Sequence, residues 1–175
     1  ITGVFMSILF IGGSRRKESI NAKLKHRLVQ VAEKHTFDFE LLDADALDAP
    51  IYHGDHEQAE GVPKAMQQLA KAVAAADKVV LVSPEYNASV SPLIKNAIDW
   101  TSRVDGQVWK GKKVLLAAAS PGGLGGIRGL SHLRDILGNV QAWTAPLFAC
   151  CPNANDETIA AMDDDFLSTF LSQGD

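Results

Sequence analysis

Apolar runs alternate with helical patterns along the whole chain, the arrangement of parallel strands joined by crossover helices. Phe5 to Ile11 is almost wholly apolar, as a strand covered on both faces should be. The helix after it places Leu24, Leu28 and Val31 on one side, with Lys23, Lys25 and Arg27 turned elsewhere. Phe37 to Leu42 alternates Phe39 and Leu41 with acidic residues, which predicts an edge strand. Asp43 to Pro63, rich in Asp, Gly and Pro, reads as a long surface loop, and loops of that length are often functional. A second helix begins near Lys64 with an apolar stripe of Ala65, Leu69, Ala72 and Val73. Lys78 to Val82 is the third strand, with an uninterrupted core of Val79, Val80, Leu81 and Val82 that marks the centre of the sheet.

Ser91 and Pro92 form a cap and first-turn pair for a helix bearing Leu93, Ile94, Ala97, Ile98 and Trp100. Lys113 to Ala119 is the fourth strand, Ser120 to Gly126 a glycine-rich turn, and Leu130, Leu133, Ile136 and Leu137 define the next helix. The last strand reads as broken, Val140 to Thr144 and Leu147 to Cys151, because Pro146 has no N–H for a ladder bond. Asp156 through Leu171 reads as one closing helix. Five strands alternating with five helices predict an α/β fold: a flavodoxin-like, doubly wound, five-stranded parallel sheet of order 2-1-3-4-5 with helices on both faces. Residues 1–175 fit a single domain, the five residues before Met6 being open to reading as an expression remnant.

A net charge of −4 speaks against a nucleic-acid binder, which would present a basic face. The apolar opening Val4 to Ile11 is too short to span a bilayer and lacks the features of a signal peptide, so no membrane partner is expected. Cys150 and Cys151 are neighbours that form no relaxed disulfide, which suits a reduced, cytoplasmic protein.

In the predicted sheet order the ligand crevice lies where strands one and three diverge, and the loops leaving strands one, three and four are the most unusual stretches of the chain. In the first, Gly12 to Asn21, three cations at the start of a helix add to the positive end of its dipole, where acids are normally favoured. A phosphate would compensate them, bonded by backbone N–H groups, by the hydroxyls of Ser14 and Ser19, and bidentately by Arg16. In the second, the amides of Pro84 to Ser91 and the side chain of Asn87 suit a flat heteroaromatic ring, with Tyr86 as a wall. In the third, Ser120 to Gly126 removes side chains where backbone must approach a ligand. It matches neither the P-loop nor the dinucleotide fingerprint.

Gly13, Ser14, Arg16, Ser19 and Asn21 resemble the Gly-Ser-x-Arg-x-x-Ser-x-Asn signature of the NADPH-dependent FMN reductases, a group that includes quinone, azo-dye and chromate reductases. Pro84, Glu85, Tyr86 and Asn87, followed by Lys95 to Trp100, resemble a second signature, and the glycine run with Arg128 a third. The resemblance implies that Ser14, Arg16, Ser19 and Asn21 hold the FMN phosphate and ribityl chain. It further implies that Pro84, Glu85, Tyr86 and Asn87 border the isoalloxazine, and that Ser120, Gly122 and Gly123 close the other side. Hydride would pass from NADPH or NADH to the flavin and on to a quinone, azo compound, free flavin or metal oxyanion, with no catalytic side chain required. It also implies a homodimer or homotetramer, for which Trp100, Trp109 and Arg128 are candidate contacts. Ala88 stands where many members have glycine, and Ser91-Pro92 replaces a common Pro-Gly pair.

A flavodoxin-type single-electron carrier is the alternative, although such carriers tend to be more acidic and their phosphate loop typically lacks an arginine. Ser14 and Ser120 lie at strand ends, but neither stands in a hydrolase elbow. His53, Asp55, His56 and Glu57 read as a hydrophilic turn, and no metal is expected.

Overall fold

The computed structural model describes residues 6–175; the predicted strand start at Phe5, the apolar opening at Val4 and the remnant reading of residues 1–5 lie outside the described residues. Five strands, β1 (Ser7–Gly12), β2 (Asp38–Leu42), β3 (Lys78–Val82), β4 (Lys113–Ala119) and β5 (Trp143–Cys151), form one parallel sheet in the order β2-β1-β3-β4-β5. The helices are α1 (Ile20–Lys34), α2 (Gly54–Glu60), α3 (Lys64–Ala75), α4 (Pro92–Val104), α5 (Ile127–Asn139), α6 (Asp156–Ala160) and α7 (Asp164–Ser172). The flavodoxin-like order is the one the sequence predicts, with the alternating β2 at an edge.

Successive strand residues point to opposite faces, so the continuous apolar strands feed two cores. Leu9, Ile11, Val79, Leu81, Val114 and Leu116 pack with α3, α4 and α5. Ile8, Phe10, Val80, Val82, Leu115 and Ala117 pack with α1 and α7. Burying each such side chain contributes roughly 1.5–3 kcal/mol, which fixes the carboxyl ends of three central strands as a rigid rim.

Four expectations about the elements change. Lys25 is buried: its stem runs beside Gly12, and its ammonium reaches the Leu42 carbonyl, at 3.3 Å, and the Asp43 carboxylate. The closing helix is two, because the Asp163 carboxylate accepts from the Phe166 N–H at 2.7 Å and starts α7 afresh. β5 is one strand, since the register shifts between Val114 and Leu116 and absorbs Pro146. Arg134 donates to the carbonyls of Ala145 (3.1 Å) and Pro146 (3.2 Å) across that irregularity.

The fourth correction concerns the 43–63 segment, which holds a 3-10 turn at Ala44–Leu47 and the short helix α2. Asn96 of α4 anchors it, accepting from the Tyr52 N–H (2.8 Å) and donating to the carbonyls of Ala49 (3.2 Å) and Pro50 (3.0 Å). Trp100 adds a bond from its indole N–H to the Pro50 carbonyl at 2.7 Å. Trp100 and Trp109 are therefore core residues and not subunit contacts; the Trp109 indole donates to Thr101 Oγ1 at 2.9 Å. Among the described residues no helix is long and apolar enough to cross a membrane.

Candidate functional site

The loops that leave β1, β3 and β4 are bonded to one another at the carboxyl rim of the sheet. The Gly13 N–H donates to the Val82 carbonyl (2.9 Å), and Ser91 Oγ donates to the Gly13 carbonyl (3.3 Å). Ser91 sits at the N-cap position of α4, yet its hydroxyl joins two loops instead of capping the helix. Gly13 packs closely: a Cβ there would lie 2.3 Å from Ile94 Cδ1 and 2.7 Å from its Cγ1, so the buried Ile94 would have to shift. Asn21 donates to the Ala119 carbonyl (3.0 Å) and accepts from the Ala119 N–H (2.8 Å), pinning the start of α1 to the end of β4.

Helix α1 begins at Ile20, with Ser19 as N-cap accepting from the Ala22 N–H at 3.3 Å. Arg15, Arg16 and Lys17 therefore lie in the loop ahead of the helix and not in its first turn, a correction to the expected placement. Of the three, only Arg15 has a carboxylate partner among the described residues: Asp48 at 2.6 Å, with Asp45 at 3.8 Å. Among the described residues no backbone N–H from Ser14 through Ser19 has a hydrogen-bond acceptor. The result is a run of open donors beside exposed Arg16 at a helix N-terminus, the chemistry of an anion cradle.

After β3, Pro84 is buried, while Tyr86 and Asn87 are exposed. Tyr86 and Ser89 exchange backbone bonds, both 3.0 Å, around Asn87 (φ 48°) and Ala88 (φ 62°), the geometry of a type I′ turn. Glu85 turns to α5, accepting from the Arg128 guanidinium (2.8 Å) and the Gly129 N–H (3.0 Å). Burial raises its carboxyl, but these donors outweigh that and hold it below the ordinary carboxylate value. Ser89 Oγ meets His132 Nδ1 at 2.9 Å, a second tie from this turn to α5.

After β4, Ser120 donates its N–H to the Cys151 carbonyl (3.1 Å), and its hydroxyl accepts from the Gly122 N–H (3.2 Å). Gly122 and Gly123 are exposed, and a Cβ on either would meet at most Ser120 Oγ, at 3.6 Å. Gly126 is different: at φ +86° a Cβ would strike that of Ala118 at 2.6 Å, so the chain itself demands that glycine.

The eleven residues read from the sequence thus occupy one rim, Asn21 and Glu85 with their polar groups spent on neighbouring backbone or side chain. Pattern reading gives Asn96 no role beyond its place in the Lys95 to Trp100 signature, and it misses the Arg15–Asp48 pair. A polar residue inside the apolar stripe of α4 was the available signal for Asn96; nothing in the spacing marks Asp48. Arg128, a candidate subunit contact, is held by Glu85 within the chain. The His53 to Glu57 stretch is helical from Gly54, and Glu57 is engaged by Tyr52 Oη (3.0 Å) and Arg103 (3.1 Å). Among the described residues no group of three or more metal-ligating side chains converges. Cys150 and Cys151 are free thiols; burial, with lesser help from Glu85 and Cys151, pushes the Cys150 thiol up to about 11.

Two clefts flank the β1 loop. One of about 220 Å³ runs from Ser14 and Asn21 to Asp43 and Asp45. Another of about 310 Å³ is bounded by Arg15, Asp48, Ile51, Tyr86 and Leu93. A larger cleft, about 390 Å³, opens at the opposite end of β4 and β5, away from these loops.

A doubly wound sheet with donor-rich loops at its switch point defines a nucleotide-binding α/β protein. The family model of the NADPH-dependent FMN reductases matches residues 6–156, and the chain belongs to that family: it is an oxidoreductase that uses FMN and a reduced nicotinamide. A quinone reductase of Escherichia coli is 41% identical over 132 residues, 75% of this chain and 69% of that one. A 2-hydroxy-1,4-benzoquinone reductase of Burkholderia is 36% identical over the same shares. Among solved structures, the flavoenzyme NAD(P)H:(acceptor) oxidoreductase FerB of Paracoccus denitrificans superposes with a TM-score of 0.77 at 28% identity, covering 95% of each chain. The electron-carrier alternative gives way to the reductase reading on this membership.

Proposed function

We propose that the chain works as one FMN-binding domain that oxidises NADPH or NADH and delivers the electrons to a small-molecule acceptor, a quinone first. The quinone assignment draws on the relatives named above; azo compounds, free flavin and metal oxyanions are the other acceptors of this chemistry. The observation that carries the reading is the run of open N–H donors from Ser14 to Ser19 beside Arg16, which has no carboxylate partner among the described residues. The donor set fits a phosphate dianion, and the uncrowded Gly122 and Gly123 fit a flat ring that lies against backbone.

On this reading Ser14, Ser19 and Arg16 hold the phosphate, while Asn21 shapes the cradle through Ala119. Pro84 to Asn87 border the ring on one side, with Tyr86 and the free amides of the turn, and Ser120, Gly122 and Gly123 border it on the other. When bound, FMN supplies the redox chemistry, accepting a hydride from the nicotinamide and returning electrons to the acceptor. The side chains orient and tune; none is needed as a nucleophile or general acid.

Purified protein should be yellow and oxidise NADPH in the presence of a quinone. Arg16→Ala removes a charge-assisted contact worth about 1.5–3 kcal/mol, so flavin affinity should fall by roughly ten- to a hundredfold, read by titrating FMN against fluorescence. A colourless protein that ignores added FMN defeats the proposal. We place the enzyme in the cytoplasm as a homodimer or homotetramer, with the exposed Tyr86, Leu124 and Ile127 beside the crevice as an apolar rim for a second subunit. Light scattering that reports a monomer at assay concentration removes that part.

A further inference from the structure

We propose that Asp48, acting through Arg15, makes this enzyme select acceptors by charge, favouring neutral planar rings over anionic ones. The inference rests on the flavin reading above and concerns the cleft of about 310 Å³ that adjoins Gly13 and Tyr86. Its walls are apolar: Ile51 is 82% exposed and Tyr86 50%, so neither is covered by the rest of the described chain, and Leu93 completes the slot. That is a surface for a flat ring. Among its polar lining groups, Asn96 is already bonded to Ala49, Pro50 and Tyr52, and Ser91 to Gly13.

Arg15 is the one cation lining the cleft, and it occupies the position that the Gly-Ser-x-Arg pattern leaves free. Its guanidinium is 2.6 Å from Asp48, which lines the cleft with it, so the two charges cancel there, while Asp45, at 3.8 Å, lies outside the lining. A sulfonated or otherwise ionised ring meets a guanidinium already satisfied and no other cation in the lining; a neutral ring loses nothing by entering. Asp48 is a positioning residue here, because it acts by holding and neutralising Arg15.

The test is Asp48→Asn in the FMN-loaded enzyme. The kcat/KM for 1,2-naphthoquinone-4-sulfonate, divided by that for menadione, should rise about fivefold, the effect of one exposed charge. The gain should shrink between about 20 mM and about 500 mM salt, and Asp48→Glu should restore the parental ratio. Calorimetry with naphthalene-2-sulfonate and 2-naphthol, which accept no electrons, should show the same change in relative affinity. A ratio that stays within about twofold of the parent, or one that rises independently of salt, overturns the inference. Protein that holds no flavin and oxidises no nicotinamide would instead defeat the flavin reading, and the naphthalene pair still decides the cleft's charge preference in that protein.

Discussion

Ala88 sits at φ 62° in the second central position of the type I′ turn that carries Tyr86 and Asn87. An L-residue in this region costs roughly 1–2 kcal/mol, and glycine pays only part of that back as extra freedom in the unfolded chain. Ala88→Gly should therefore raise stability by about 0.5–1 kcal/mol, seen as a melting temperature about 1–4 °C higher in a circular dichroism scan. An unchanged or lower midpoint would mean that the turn relaxes at no cost. The same substitution restores the glycine common among the family's members, so the departure noted in the sequence has a backbone meaning. The neighbouring contacts explain why the strain persists: Glu85 is fixed to Arg128 and Gly129, and Ser89 to His132, so both ends of the turn are held by α5.

At the level of elements, the crevice depends on α1 and β4 keeping their spacing, and the Asn21–Ala119 pair is the direct link between them. Asn21→Ala leaves a buried N–H and a buried carbonyl without partners, at about 1–3 kcal/mol each. We expect a loss of about 2–4 kcal/mol in urea unfolding and weaker FMN binding even though Arg16 and Ser14 are untouched. Asn21 was legible as a site residue; its means of acting was not, because its partner lies 98 positions away in sequence. The same holds for Glu85, whose partners on α5 lie 43 and 44 positions away. Periodicity places a polar residue on a helix or in a loop, but the acceptor it finds is set by how loops from separate crossovers meet. The strands were readable for the opposite reason: a parallel strand covered on both faces is apolar along nearly its whole length, the buried Lys78 being an exception that donates to the Leu171 carbonyl at 2.8 Å, and Lys78–Val82 and Lys113–Ala119 end where the sequence says they end.

Across the molecule, α1 is tied to the closing helices by charge: Arg27 and Lys34 both engage Asp164, and Lys23 meets Asp156 at 2.5 Å. The Arg27 guanidinium, then Lys34, hold the Asp164 carboxyl at about 2, below its ordinary 3.8. A carboxyl depressed by folding stabilises the native state above its unfolded value, and that contribution fades as pH falls toward 2. Asp164→Asn should melt below the parent near pH 6, with the gap closing as the buffer approaches about pH 2. A constant gap across that range would assign the loss to packing. The two margins of the sheet carry a last consequence. At β2 the exposed Asp38 and Glu40 line one border, and at β5 Pro146 and a shifted register interrupt the other. Neither margin offers a long, flat, neutral ladder to another chain, so polymerisation through the borders of the sheet finds no template there.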